Sequence, residues 1–294
     1  MAEARWRTEL RDLMELVLLP ALAMVLPWRL CFRIFRRIAR LDWLYRAPSH
    51  AALAQAREYG WAMDDTDWLL KRRLVTLVDH ADFYLSRTRS DAWIRRHVNI
   101  QGVWPPGDVA GIVCTFHWGA GMWGLRHASA QGLQLHPLVA PLDGAHFEGR
   151  SVLHWYARAR TAEVGRVLGC SALDVSASLR PVLRALIQSQ QVVAAVDVPQ
   201  DQVAASEPVQ VLGRQMRVPS GLLRLAVERR VPVTLYLTGI DLHSGQRFLS
   251  VRTLGVRDDL NLLAQEIFRE LDNAIQVEPP AWHFWSEAPR FFQP

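Results

Sequence analysis

The clearest capacity for chemistry lies at Thr115-Phe116-His117-Trp118-Gly119-Ala120-Gly121. There a short apolar run, GIVCTF from Gly111 to Phe116, gives way to a glycine-punctuated turn and then to a helical stretch carrying Trp123, Leu125 and Arg126. A histidine so placed has its ring at a strand's end, beside helix N-terminal N–H groups that favour developing negative charge, and it suits a general base. Ten histidines occur in the chain, and a lone one more often serves structure than catalysis. The elements around His117 must therefore carry the argument.

Those elements alternate. Short apolar runs with β-branched residues, bounded by turn residues, predict strands over Gly111–Phe116, Leu135–Val139, Val192–Val196, Val231–Leu237 and Phe248–Leu254. Between and beside them, helical spacing covers Asp64–Arg87, Ser151–Leu168, Ser178–Gln188, Ser220–Arg229 and Asp258–Ile275. The pattern predicts an α/β fold with a mixed central sheet flanked by helices, and in such sheets chemistry collects where strands end and helices begin. With no linker, repeat or change of composition beyond Arg46, the chain reads as an N-terminal helical segment over 1–46 followed by one catalytic-size domain over 47–294.

With 294 residues, half of them apolar, and a mean hydropathy near zero, the chain can bury a large core. Cys31, Cys114 and Cys170 stand far apart without a Cys-x-x-Cys pair, which argues against a disulfide framework or a cysteine-based metal site. The net charge of +5 is local: from Trp28 to Arg46 there are six arginines (29, 33, 36, 37, 40 and 46) against Asp42 alone. This segment follows an apolar stretch, Leu13 to Pro27, and at 100° per residue five of its arginines share a sector of roughly 100°. Apolar run, tryptophan and one-sided arginines together predict a membrane-associated amphipathic helix meeting phospholipid phosphates. The same pattern fits a surface helix whose apolar face packs on the protein body. Nucleic acid is a poor match, because the arginine excess is confined to this segment and no nucleic-acid-binding signature is visible.

Taken in order, several segments resemble the lysophospholipid acyltransferase superfamily, most closely its bacterial lipid A biosynthesis (lauroyl/myristoyl) acyltransferase branch. They are the N-terminal apolar helix, the strand ending at His117, and a helix with Arg158 and Arg160. Asp197-Val198-Pro199-Gln200-Asp201-Gln202 follows the VVAAV strand, then Ser220-Gly221 opens a helix, and Glu278-Pro279-Pro280-Ala281-Trp282-His283-Phe284-Trp285 lies near the end. The resemblance implies a glycerol-3-phosphate acyltransferase-like fold at the cytoplasmic face of the bacterial inner membrane, held peripherally or by one N-terminal anchor. It implies transfer of a fatty or polyene acyl group from an acyl-carrier-protein or coenzyme A thioester to a hydroxyl or amine of a lipid acceptor. It implies no cofactor and no metal. His117 would be the general base, Gly119 and Gly121 would let backbone N–H groups approach the oxyanion, and Arg158, Arg160, Ser220 and Gly221 would contact a phosphate or shape the pocket.

One position departs from the family pattern: the carboxylate expected five residues after the histidine is Met122, and a thioether cannot accept a strong hydrogen bond. Three readings stand open. A carboxylate from elsewhere takes over, with Asp197 and Asp201 the first candidates and Glu148 behind them; the acceptor needs only His117; or the domain binds and positions lipid without turning it over. A serine hydrolase fits less well, since Pro219-Ser220-Gly221 lacks the glycine two positions before the serine.

Overall fold

The apolar segments GIVCTF and VVAAV become neighbouring inner strands, because only a strand covered on both faces can bury every side chain. The computed structural model describes residues 2–139, 147–175 and 178–292. Its elements begin with α1 (Ala2–Asp12), a π-helical turn (Leu13–Leu18), α2 (Leu19–Val25), α3 (Trp28–Ile38), α4 (Arg46–Glu58), α5 (Asp65–Thr88) and α6 (Asp91–Arg96). The sheet region follows with β1 (Val98–Gln101), β2 (Gly111–Thr115), α7 (Met122–Ala130), β3 (Leu135–Val139), α8 (Ser151–Leu168), β4 (Leu173–Asp174), α9 (Arg180–Ile187) and β5 (Gln191–Ala195). A hairpin of β6 (Ser206–Val211) and β7 (Arg214–Pro219) leads into α10 (Gly221–Glu228), β8 (Val233–Ile240), β9 (Arg247–Gly255) and α11 (Leu260–Val277), and short 3-10 turns end the described chain.

Seven strands form the central sheet in the order β1-β9-β8-β2-β5-β3-β4. Every neighbouring pair is parallel except β8 and β9, so the mixed α/β sheet expected from the alternation is present and mostly parallel. β2 and β5 lie side by side with Gly111 opposite Gln191 and Thr115 opposite Ala195. The small β1 and β4 edges and the separate antiparallel β6–β7 hairpin were not legible as strands. The hairpin carries charged and polar residues such as Glu207, Gln210, Arg214 and Gln215 that hide its alternation.

Helix starts follow local chemistry. The Asp64 carboxylate accepts from the N–H groups of Thr66 and Asp67 at the head of α5, and Asp259 accepts from Leu262 N–H at the head of α11.

The N-terminal segment does not form one apolar rod. A π-helical turn and then Pro27 interrupt it, and among the described residues no helix is long and apolar enough to cross a membrane. Trp28, Cys31, Phe32 and Phe35 of α3 are buried in the same core as Ile112, Cys114 and Val192 of the sheet. The main apolar face of the arginine-bearing helix therefore packs on the protein body. Polar contacts fix the layer: Arg150 pairs with buried Asp12 at 2.7 Å, and the buried Glu15 carboxylate accepts from Tyr45 N–H at 2.6 Å. Burial pushes the Glu15 pKa up, against the opposing pull of the Tyr45 N–H and of Arg11.

Candidate active site

His117 and Asp197 each lie two residues beyond the paired ends of β2 and β5, so the register that sets Thr115 opposite Ala195 continues into the loops. Val196 N–H still donates to Thr115 O at 2.9 Å. His117 N–H then donates to both carboxylate oxygens of Asp197, at 2.9 and 3.0 Å, and His117 Nδ1 lies 2.9 Å from Oδ1. Asp197 is fully buried, whereas the His117 side chain is 43% exposed. A carboxylate can only accept, so the neutral imidazole carries its proton on Nδ1 and leaves the Nε2 lone pair free. Desolvation opposes the imidazolium, but the Asp197 charge and hydrogen bond, with a further contribution from Asp79, outweigh it and raise the His117 pKa above the ordinary histidine value.

The chain's C-terminal segment completes the site. His283 N–H donates to His117 O at 2.8 Å and Gly119 N–H donates to Ala281 O at 3.0 Å, a short antiparallel crossing between the histidine turn and residues 281–283. The His283 ring donates from Nε2 to Gly119 O at 2.7 Å, and Phe284 stands edge-on to the His117 ring with centroids 4.5 Å apart. Trp282 Nε1–H donates to Asp197 Oδ2 at 3.1 Å. Buried Arg72 on α5 anchors the segment by donating to the carbonyls of Pro280, Trp282 and His283 at 2.7–3.1 Å. The aromatic segment was conspicuous in the sequence, but its pairing with the histidine turn is a long-range contact that spacing does not disclose.

Behind these residues lies a largely covered polar group on α5 and α8. Arg160 pairs with Asp79 at 2.7 Å and with the Tyr156 hydroxyl at 3.2 Å, and the same hydroxyl lies 2.8 Å from His80 Nδ1. Burial alone would raise the Asp79 pKa, yet Arg160 and the nearby histidines hold it at about 2. Desolvation dominates at His80 and His283, which fall to about 3 and about 4 and are neutral near pH 7.

The remaining sequence candidates separate. Asp201 does not meet His117: it is exposed and ion-paired with Arg290 at 2.8 Å, because it lies four residues farther along the loop than Asp197. Glu148 lies exposed in a turn. Met122 is buried at the first position of α7. Gly119 has φ +68°, and a Cβ there would collide with Thr238 O, so its glycine is required by the fold. With its N–H donated to Ala281, that group is not the oxyanion donor expected for it. Gly121 is the N-cap of α7, whose first-turn N–H groups have no intrahelical partners.

Arg158 is exposed, and the Arg160 guanidinium is engaged by Asp79 rather than free. Ser220 is buried at the head of α10, its N–H donating to Ala205 O and its hydroxyl without a hydrogen-bond partner among the described residues. A Cβ on Gly221 would meet Leu179 at 3.2 Å; both residues thus pack beside the hairpin and α9. Among the described residues, no group of three or more His, Cys, Asp or Glu side chains is placed to hold a metal ion. The chain matches no protein-family model and no curated protein.

Proposed function

We propose that the chain is an acyltransferase of the kind its sequence resembles, taking an acyl group from an acyl-carrier-protein or coenzyme A thioester to a hydroxyl or amine of a membrane lipid. The observation that carries this reading is the pairing of half-exposed His117 with fully buried Asp197 at 2.9 Å. His117 Nε2 takes the acceptor's proton as its oxygen or nitrogen bonds to the thioester carbonyl carbon. Asp197 holds the Nδ1–H tautomer and steadies the imidazolium. First-turn N–H groups of α7 offer charge stabilisation to the tetrahedral oxyanion. Collapse breaks the C–S bond, and the thiolate recovers the proton from Nε2.

A lipid acceptor implies work at a membrane surface. Part of α3 supports that: opposite its buried face, Leu30 is exposed and Ile34 half-buried, Leu41 follows exposed, and Arg29, Arg33 and Arg37 stand beside them. This second apolar stripe with an arginine border suits a helix lying in the interface plane.

A second reading, a catalytically silent protein that binds or positions lipid, is favoured by one observation, the engagement of Gly119 N–H by Ala281 O. Transfer of labelled acyl groups to total membrane lipid separates the two. Loss of labelled product in a folded His117→Ala variant is the result expected of the enzyme, and an unchanged product profile would sink the general-base reading.

A further inference from the structure

Asp197 receives hydrogen bonds from only two residues among those described, His117 and Trp282. The backbone N–H of His117 is shared by both carboxylate oxygens, so it would tolerate a twist of the carboxylate about Cβ–Cγ. The indole N–H of Trp282 reaches Oδ2 alone and fixes the carboxylate plane, leaving Oδ1 aligned with the imidazole. Trp282 is itself immobilised. Its ring is fully buried, with the rings of Trp285 and Phe291 at 5.2 and 5.4 Å, its backbone bridges Trp118, and its carbonyl accepts from Arg72 at 2.7 Å.

We propose that Trp282 is a positioning residue for the His117–Asp197 pair, acting through its indole N–H rather than through its bulk. This rests on the reading of His117 as a general base. It adds that the base is incomplete without a donor delivered from the C-terminal segment, 85 residues along the chain from the carboxylate it holds. Without the indole N–H, Oδ2 keeps only its share of the His117 N–H, the carboxylate loses the donor that sets its plane, and turning draws Oδ1 off Nδ1.

The test uses the full-length chain and needs no substrate. The His117 ring is followed by NMR as pH is varied, in the parent, in Trp282→Phe, and in a chain with β-(3-benzothienyl)alanine at 282, placed by codon suppression. That last side chain keeps close to the indole's shape but carries sulfur in place of the N–H, and so has no donor there. The expected result is that both replacements lower the His117 midpoint toward the ordinary imidazole value of about 6.5 and admit the Nε2–H tautomer, while the benzothienyl chain keeps the parent's melting temperature. A midpoint unchanged or higher in the benzothienyl chain overturns the proposal. Because the titration involves no acyl group, it reports on Trp282 even if the chain transfers none. Lost transfer with an unchanged titration would overturn this role and leave the acyltransferase reading standing.

Discussion

His117 Nδ1 and Asp197 Oδ1 are 2.9 Å apart although 80 residues separate them, because they continue the register of two adjacent parallel strands. On the proposed acyltransferase reading, the carboxylate that the resemblance expects at Met122 is supplied across the sheet instead of along the helix. From this relationship the pH dependence of transfer follows. The base must be neutral to work, and its pKa is raised by Asp197. The rate kcat/KM should rise with pH through a midpoint above the ordinary histidine value of about 6.5 and level off beyond it. A profile whose acid limb falls at or below that value would contradict the assignment.

Restoring an acid at the family position should not help. Met122 is buried, so Met122→Glu places a carboxylate in the core without a prepared partner, and several kcal/mol of stability are at stake. Denaturant unfolding should show a large loss, with no gain in transfer rate. A faster, equally stable variant would mean that Asp197 holds His117 poorly.

Acid should destabilise the fold through two neutral, half-buried histidines. His80 and His283 have folded pKa values depressed by burial to about 3 and about 4, against about 6.5 in the unfolded chain. Between those limits the unfolded state binds more protons. Stability is therefore fully present above about pH 6.5 and is lost as pH falls toward the folded values, at up to about 1.4 kcal/mol per pH unit for each group. Urea midpoints at pH 7 and pH 5 measure the slope, which His80→Asn and His283→Asn should flatten. An unchanged slope in both variants would place the acid sensitivity elsewhere.

The membrane face makes a separable prediction. Changing Leu30, Ile34 and Leu41 to Ser should weaken binding to anionic phospholipid vesicles without unfolding the chain. Changing Arg29, Arg33 and Arg37 to Gln should cost about 1 kcal/mol per charge and reduce the salt dependence. Phe32→Ser and Phe35→Ser should instead destabilise the fold, because these side chains lie in the core. Vesicle sedimentation beside thermal melting distinguishes the two classes, and equal binding by all variants would move the contact surface elsewhere.

Much of the fold was legible because its signals are local. Apolar runs such as GIVCTF and VVAAV marked β2 and β5, and helical spacing marked α5 and α11. The site was legible as a set of candidates. Asp197 and Asp201 were equivalent until the sheet order set β5 beside β2, which brings one aspartate onto His117 and leaves the other to Arg290. Arg72 was silent, and Trp282 and His283 were visible only as members of an aromatic segment, since their contacts depend on a crossing between the histidine turn and a segment more than 160 residues away. The arginine-bearing helix left two readings open, because an amphipathic pattern reports only that one face is covered, and here the protein core covers the main apolar face.

The most direct measurement is the rate of labelled acyl transfer from a carrier-protein or coenzyme A thioester to membrane lipid by Asp197→Asn against the parent chain, with folding verified by melting temperature. An Asn side chain cannot steady the imidazolium and can present an N–H to Nδ1, so transfer should fall by about 10²- to 10⁴-fold. A folded Asp197→Asn protein that transfers acyl groups at the parent rate would contradict the account.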